Sequence, residues 1–284
     1  MEFSSIEGEH RYAALVRSAS RTLIGLDFDG TLAPIVDDPG AAHIHPDAGD
    51  VLVEVAREVA AIAVITGRPA RQALDLGGLE DVGDALSSLG KELYLFGQYG
   101  NERWSTHERR IIAPRPARGL ATFERDLPRV LREAGAADAY VEDKGLGVAV
   151  HTRRMADPAA AYDRILPGLV ALADRNGMQV EPGRNVVEIR SPGIHKGQVV
   201  EALVDRLDPA GFLFAGDDLG DLEAFEALGK LPERGITPLR VCSASSEESA
   251  LLPLSDVVVA GPEGVLDLLR QLARDARRER LASA

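Results

Sequence analysis

Short apolar runs that do not alternate with polar residues recur along the chain. They lie at residues 22–26, 62–65, 92–96, 211–215, 239–243 and 256–260. Runs of this kind are typical of parallel strands that helices cover on both faces of a sheet. Helical patterns lie between several of them, at residues 47–60, 196–207 and 219–228. The alternation predicts an α/β fold with a doubly wound parallel sheet, in which ligands bind beyond the carboxyl ends of the strands.

Residues 114–190 interrupt this alternation. They open with Pro-Arg-Pro and then carry two helical patterns, each followed by a pattern typical of a β-hairpin. The first hairpin is predicted around Gly145 and Gly147, and the second around a turn at Pro182-Gly183. The pattern therefore predicts an α+β domain inserted into the sheet domain. The predicted domains are 114–190 for the insertion, and 1–113 with 191–284 for the discontinuous sheet domain.

The composition excludes several classes of partner. The net charge of −13 would repel a nucleic acid. Cys242 is the only cysteine in the sequence, which excludes an internal disulfide and a cysteine-only zinc site. The first 20 residues do not resemble a signal peptide. No run approaches the roughly 20 apolar residues that span a bilayer. We expect a cytoplasmic protein with neither a nucleic-acid nor a membrane partner.

Two carboxylates, Asp27 and Asp29, follow the first apolar run, and Gly30 and Thr31 come directly after them. In an extended chain alternate side chains point the same way, so both carboxylates would face one point while Phe28 enters the core. Converging carboxylates at a strand end suit Mg²⁺. An Asp-Gly turn with solvated acids is the alternative. An EF-hand loop is disfavoured because its sixth position would be leucine rather than glycine.

A second acidic cluster follows the apolar run at 211–215. It consists of Asp217, Asp218 and Asp221, at the head of a predicted helix. One aspartate there is an ordinary helix cap, but three are more than a cap requires. The two clusters together predict a divalent-cation site at the strand ends.

Two further sequences supply hydrogen-bond donors and positive charge. Thr66, Gly67 and Arg68 follow a strand, and Pro69 opens a helix, an arrangement that forms a phosphate-binding turn as readily as an ordinary loop. Lys196 lies at another helix start, where the helix dipole disfavours a cation. That unfavourable position indicates a function for Lys196, although solvated lysines are common.

These sequences, taken together, resemble the haloacid dehalogenase superfamily of phosphatases. The motifs that carry the resemblance are Asp27-x-Asp29-Gly-Thr, Thr66 after a strand, Lys196, and Gly-Asp217-Asp218-x-x-Asp221. The resemblance implies a Rossmann-like core with a C2-type cap at the insertion. It implies that Asp27 is the nucleophile, that Asp29 is the general acid and then the general base, and that Thr66 and Lys196 hold the phosphoryl group. The implied Mg²⁺ ligands are Asp27, the Asp29 carbonyl and Asp217, completed or oriented by Asp218 and Asp221.

Within that superfamily, three stretches are similar to trehalose-6-phosphate phosphatases: residues 96–104, 141–153 and 186–204. The resemblance implies that Lys144, His151 and Glu188 bind the glucose unit that carries no phosphate. It also assigns to substrate binding Gly67, Arg68, Asn101 and Glu102. Many members have His-Gly where this chain has Tyr99-Gly100, so no contact of that histidine is carried over.

The activity implied is Mg²⁺-dependent hydrolysis of trehalose 6-phosphate to trehalose and phosphate, by a monomer acting on a small-molecule sugar phosphate. One alternative is another capped sugar phosphatase, of the sucrose-phosphate or mannosyl-phosphoglycerate type. A second is a non-catalytic sugar-phosphate sensor, which Asp27, Asp29, Lys196 and Asp217 argue against because a sensor needs no nucleophile.

Overall fold

The computed structural model describes residues 2–36, 38–183, 185–193, 195–244 and 250–283. The chain divides into two compact units. The core unit consists of residues 1–113 and 194–284, and the inserted unit consists of residues 114–193.

The described residues form strands β1 (Glu2–Phe3), β2 (Thr22–Leu26), β3 (Ala61–Ile65), β4 (Leu93–Gly97), β5 (Glu102–Ser105), β6 (Tyr140–Asp143), β7 (Gly147–His151), β8 (Gln179–Gly183), β9 (Val186–Arg190), β10 (Gly211–Gly216), β11 (Thr237–Ala244) and β12 (Val257–Ala260). The α-helices among them are α1 (Ile6–Arg17), α2 (Ala48–Ala56), α3 (Ala70–Gly77), α4 (Leu79–Ser88), α5 (Leu120–Glu133), α6 (Pro158–Arg175), α7 (Lys196–Leu207), α8 (Leu222–Lys230) and α9 (Gly261–Ala282).

The core unit is built on one eight-stranded sheet of order β1-β12-β11-β10-β2-β3-β4-β5. All neighbours from β12 to β4 are parallel, whereas β1 and β5 pair antiparallel at the two edges. The α/β prediction is therefore confirmed, with antiparallel edges that the apolar runs did not indicate. The central strands β2, β3 and β10 are buried along their whole length.

Helices cover both faces of this sheet, because successive strand residues enter two separate apolar cores. Ile24 and Leu26 of β2 pack in a core with residues of α2 and α9. Leu23 and Phe212, from β2 and β10, pack on the other face with residues of α7 and α8. A strand that is apolar on both faces reads as a continuous apolar run, which is why β2 was visible in the sequence.

The inserted unit is a four-stranded antiparallel sheet of order β6-β7-β9-β8, with α5 and α6 packed on one face. Val148 and Val150 of β7, with Val187 and Ile189 of β9, lie in its apolar core. The opposite face of these strands carries the polar side chains, as the alternation predicts.

The second hairpin differs from its prediction. Pro182 and Gly183 lie inside β8, where they pair with Val187 and Val186, so the chain does not turn at Pro-Gly. β8 is an edge strand, which is where prolines occur within sheets. The chain reverses beyond Gly183, where Asn185 has a φ of 56°.

Ser191 belongs to the inserted unit, whose last residue is 193. Its N–H and its hydroxyl both donate to the carbonyl of Leu146, at 3.2 and 3.0 Å.

Among the described helices, none has the length and apolar character that would let it cross a membrane.

Candidate active site

Asp27 lies one residue beyond β2, at the carboxyl end of the core sheet. Its N–H donates to the carbonyl of Ala215 at 2.9 Å, which continues the β2–β10 ladder and fixes the backbone at this position. Its side chain is 7% exposed, and the next side chain, Phe28, is fully buried in the core. The strand end therefore holds the Asp27 carboxylate in a buried position at the edge where ligands bind in this fold.

Lys196 is the first residue of α7 and reaches Asp27 from the neighbouring part of the core. Its ammonium Nζ donates to Asp27 Oδ1 at 2.5 Å and to Asp221 Oδ1 at 2.7 Å. The lysine side chain is 3% exposed. Burial lowers the pKa of this ammonium, but the charges of Asp221 and Asp27 outweigh burial and hold the pKa well above its ordinary value. Lys196 is therefore a charged amine between two carboxylates.

The loop after β10 is organised by Asp221, which is fully buried. Its Oδ2 accepts the N–H groups of Asp217 at 3.0 Å and Asp218 at 3.5 Å, while its Oδ1 accepts from Lys196. Gly216 makes room for this carboxylate, because a Cβ there would lie 2.4 Å from Asp221 Cγ. Both oxygens of Asp221 are thus used to orient the loop and the lysine.

Three carboxylates converge at this point: ligand atoms of Asp27, Asp217 and Asp221 all lie within 4.8 Å of one another. Burial, reinforced by Asp27 and the other neighbouring acids, raises the pKa of Asp217 to about 10. Burial also raises the pKa of Asp27 well above its ordinary value, against the opposing charge of Lys196. When all three are deprotonated, these carboxylates exceed the charge of the one ammonium by two negative charges, the amount that one divalent cation balances. An all-oxygen donor set of this kind fits Mg²⁺.

Gly30 allows the two acidic clusters to approach each other. A Cβ on Gly30 would lie 2.1 Å from Asp217 Oδ2, so no other residue fits at this position without moving Asp217. Gly30 also has a φ of 70°, a conformation that glycine adopts without strain. The hydroxyl of Ser243, at the end of β11, donates to the Gly30 carbonyl at 2.6 Å and fixes this loop to the sheet.

The carboxylate of Asp29 pairs with Arg68 and is not one of the three converging carboxylates. Arg68 Nε and Nη2 donate to the two oxygens of Asp29 at 2.7 and 2.6 Å, and Nη1 donates to the carbonyl of Pro39 at 2.8 Å. The guanidinium also lies over the Phe28 ring, 5.4 Å from its centroid. A bidentate pair of this geometry fixes the orientation of the carboxylate. Asp29 is 40% exposed at its side chain, so the pair is open to solvent on one side.

The other predicted residues of the core unit lie around the turn after β3. Thr66 is buried, and its Oγ1 accepts the N–H of Arg68 at 3.1 Å. Glu102 accepts the N–H of Ala70, and Asn101 donates from Nδ2 to the carbonyl of Gln98 at 2.9 Å. Asp218 accepts the N–H of Gly220 at 2.8 Å and is not among the three converging carboxylates.

The polar face of the inserted unit brings Lys144 and Glu188 together, with Nζ and Oε2 2.8 Å apart. His151 Nε2 lies 3.0 Å from Oε2 of Glu142, a residue that the sequence motifs did not indicate. All four side chains are between 12% and 19% exposed. The position of Glu142 in β6 could have indicated it. Glu142, Ala149 and Glu188 are in register across three strands, so Glu142 lies on the same face of the sheet as Glu188.

The parallel core sheet with an inserted α+β unit has the same fold as a haloacid dehalogenase-like hydrolase from Bacteroides thetaiotaomicron, with a TM-score of 0.56, 13% identity, and coverage of 88% of this chain and 99% of that one. A sequence model of the family described as trehalose-phosphatase matches residues 25–257. The chain belongs to the trehalose-phosphatase family.

The chain is also similar to individual curated proteins and to solved structures. The chain is 35% identical over 231 residues to an uncharacterized glycosyl hydrolase of Mycobacterium tuberculosis, covering 76% of this chain and 16% of that protein. It is 29% identical over 276 residues to the trehalose-phosphate phosphatase of Mycobacterium leprae, covering 90% of this chain and 58% of that protein. It therefore spans less than two thirds of these curated relatives. The C-terminal domain of trehalose-6-phosphate phosphatase from C. albicans has the same fold, with a TM-score of 0.74, 20% identity, and coverage of 96% of this chain and 98% of that one.

Proposed function

We propose that the protein is a Mg²⁺-dependent phosphatase that hydrolyses trehalose 6-phosphate to trehalose and inorganic phosphate. The observation that carries the proposal is the buried Asp27 carboxylate, paired to Lys196 and facing Asp217, in a member of the trehalose-phosphatase family. A non-catalytic sugar-phosphate sensor would not require a nucleophile held beside a cation in a buried site.

In the proposed reaction, an Asp27 oxygen attacks phosphorus and forms an aspartyl-phosphate, while the bond between phosphorus and the sugar oxygen breaks. Asp29 gives a proton to the departing sugar oxygen and then takes one from the water that hydrolyses the acyl phosphate. Both the sugar hydroxyl and free phosphate are released, and Asp27 is restored.

Lys196 and the turn after β3 would stabilise the negative charge of the transferring phosphoryl group. Thr66 N–H donates to the carbonyl of Phe96, and Arg68 N–H to Thr66 Oγ1, so we assign the Gly67 amide to the phosphoryl oxygens. Mg²⁺ would be held by Asp27 and Asp217, oriented through Asp221, and when bound it supplies positive charge to the phosphoryl oxygens. Positioning and charge are the main contributions to catalysis of phosphoryl transfer.

We assign recognition of the sugar to Lys144, His151 and Glu188, together with Glu142. Each lies on the polar face of the inserted unit and is mostly buried, with charged groups that hydrogen-bond well to hydroxyls. The proposal of trehalose 6-phosphate over sucrose phosphate or mannosyl-phosphoglycerate rests on these residues of the inserted unit.

The first test is a phosphate-release assay with a panel of sugar phosphates, with and without EDTA. We expect trehalose 6-phosphate to be the preferred substrate, EDTA to abolish release, and Asp27→Asn to abolish turnover in a folded protein. Preference for sucrose phosphate or mannosyl-phosphoglycerate would favour the alternative phosphatases. An Asp27→Asn variant with near-normal turnover would contradict the assigned nucleophile.

The second test separates sugar recognition from phosphoryl transfer. Glu188→Ala and His151→Ala should reduce kcat/KM for trehalose 6-phosphate far more than for p-nitrophenyl phosphate, which carries no sugar. Equal losses on both substrates would contradict the assignment of these residues to the sugar.

A further inference from the structure

The segment Gly97–Glu102 follows β4 and contacts the turn Thr66–Ala70 along its length. The N–H of Gln98 donates to the carbonyl of Arg68 at 2.8 Å, and the N–H of Tyr99 donates to the carbonyl of Thr66 at 2.9 Å. A Cβ on Gly97 would lie 2.5 Å from the Ala70 nitrogen, which shows how closely the two backbones approach. The turn is therefore held by main-chain contacts to this segment.

Glu102 completes this arrangement with its side chain. Its Oε2 accepts the N–H of Ala70, the first residue of α3, at 2.5 Å, and its Oε1 accepts from Gln98 Nε2 at 3.2 Å. Pro69, at the cap position of α3, makes no side-chain hydrogen bond to the helix. A carboxylate at a helix N-terminus is favoured by the helix dipole and satisfies a free N–H. Glu102, the first residue of β5, thus caps the N-terminus of α3.

The backbone of the segment is strained in a way that this network must hold. Gln98 and Tyr99 both have left-handed conformations, with φ of 48° and 59°. Consecutive residues with side chains rarely adopt this conformation, and they persist only where surrounding contacts determine it. The strain places the Tyr99 ring against Gly67, where a Cβ would lie 2.8 Å from the ring carbon Cζ.

We infer that Glu102 is a positioning residue for the phosphoryl-binding turn, acting through Ala70 and Gln98, rather than a ligand of the sugar. The inference rests on the proposed function of the same site. Glu102 fixes the start of α3, and Gln98 and Tyr99 fix the carbonyl groups of Arg68 and Thr66, so the Gly67 amide is held in one orientation. Every phosphate ester uses this amide, whatever its leaving group.

The experiment compares Glu102→Ala and Glu102→Gln with Glu188→Ala, and uses Glu108→Ala as the control. Glu108 lies six residues further along the chain than Glu102, and its side chain makes a 3.9 Å ion pair with Arg103. kcat and KM are measured for trehalose 6-phosphate and p-nitrophenyl phosphate. We expect Glu102→Ala to lower kcat/KM about 10- to 100-fold on both substrates, to a similar extent, chiefly through kcat. Glu102→Gln, which can still accept from Ala70, should lose less.

A loss on trehalose 6-phosphate at least ten times the loss on p-nitrophenyl phosphate would overturn the inference, because that is the signature of a sugar ligand. The failure of the proposed function looks different: wild-type protein would then release no phosphate from trehalose 6-phosphate.

Amide hydrogen exchange of the free protein tests the positioning role independently of activity. Faster exchange at residues 66–74 in Glu102→Ala, with no change in Glu108→Ala, is expected. Unchanged exchange in both variants would overturn the inference. If Glu102→Ala does not fold, the same two measurements on Glu102→Gln decide the question, with smaller expected effects.

Discussion

Replacing Lys196 with methionine removes the positive charge between Asp27 and Asp221 while nearly preserving side-chain length. The two N···O distances are 2.5 and 2.7 Å, and the lysine is 3% exposed. At an effective dielectric constant of about 20, a contact of this length corresponds to roughly 6 kcal/mol of Coulomb attraction. Most of that attraction offsets the cost of removing the charges from water. The expected loss is therefore the range typical of breaking a buried pair, about 3–5 kcal/mol of the free energy of unfolding.

The assay is urea unfolding in EDTA, followed by the fluorescence of Trp104, the only tryptophan, which is buried in the core unit. The stabilities of two variants can be compared in this way when their free energies of unfolding fall with urea concentration at similar slopes. The matched control is Lys230→Met, at the exposed end of α8, which should change the stability by no more than about 0.5 kcal/mol. The double variant Lys196→Met/Asp221→Asn should be more stable than Lys196→Met alone, because it buries one carboxylate fewer without a counter-charge.

Two results would refute this reasoning. One is a Lys196→Met protein within about 1 kcal/mol of wild type in EDTA, which is the size of an ordinary surface change. The other is a double variant that is no more stable than the single variant. Either would mean that the buried charges are compensated by something other than Lys196.

Two further predictions concern the loop and the C-terminal helix. Gly30→Ala should abolish most of the phosphatase activity, because the added Cβ would displace Asp217. Gly90→Ala is the control, because Gly90 has a matching φ of 71° and open space around it. It should lower the free energy of unfolding in urea only by the backbone strain, about 1–2 kcal/mol. Hydrogen bonds from Arg280 lower the pKa of Glu58 below its ordinary 4.5, so the stability advantage of wild type over Glu58→Gln should be full at pH 7 and should be lost as the pH falls through the lowered pKa. Thermal unfolding of both proteins at several pH values measures this difference, and an advantage that does not shrink as the solution is acidified would contradict it.

Much of the core could be predicted because its strands are apolar on both faces. The run at 22–26 coincides with β2, and the helix at 196–207 coincides with α7. The meeting of Asp27 with Asp217 and Asp221 followed from the rule that the carboxyl ends of parallel strands share one edge of a sheet. The helix pattern at 219–228 was less accurate, since residues 219–221 form a short 3₁₀ turn and α8 begins at Leu222.

The side-chain partners could not be predicted in the same way. Arg68 pairs with Asp29, and Glu142 with His151, through the path of a loop and the register of a hairpin, which composition does not encode. The Pro-Gly sequence at 182–183 is a strong turn signal, but the position of β8 at the sheet edge removed the penalty for keeping proline in a strand.

The order of the strands has a consequence for synthesis on the ribosome. β2, which Asp27 follows, pairs with β10, which the acidic loop follows, yet the whole inserted unit separates the two strands along the chain. A nascent chain that has emerged only as far as residue 193 holds a complete inserted unit but exposes the unpaired edge of β2. Such an edge attracts other strands, so we expect chaperone binding to matter most during this interval of translation.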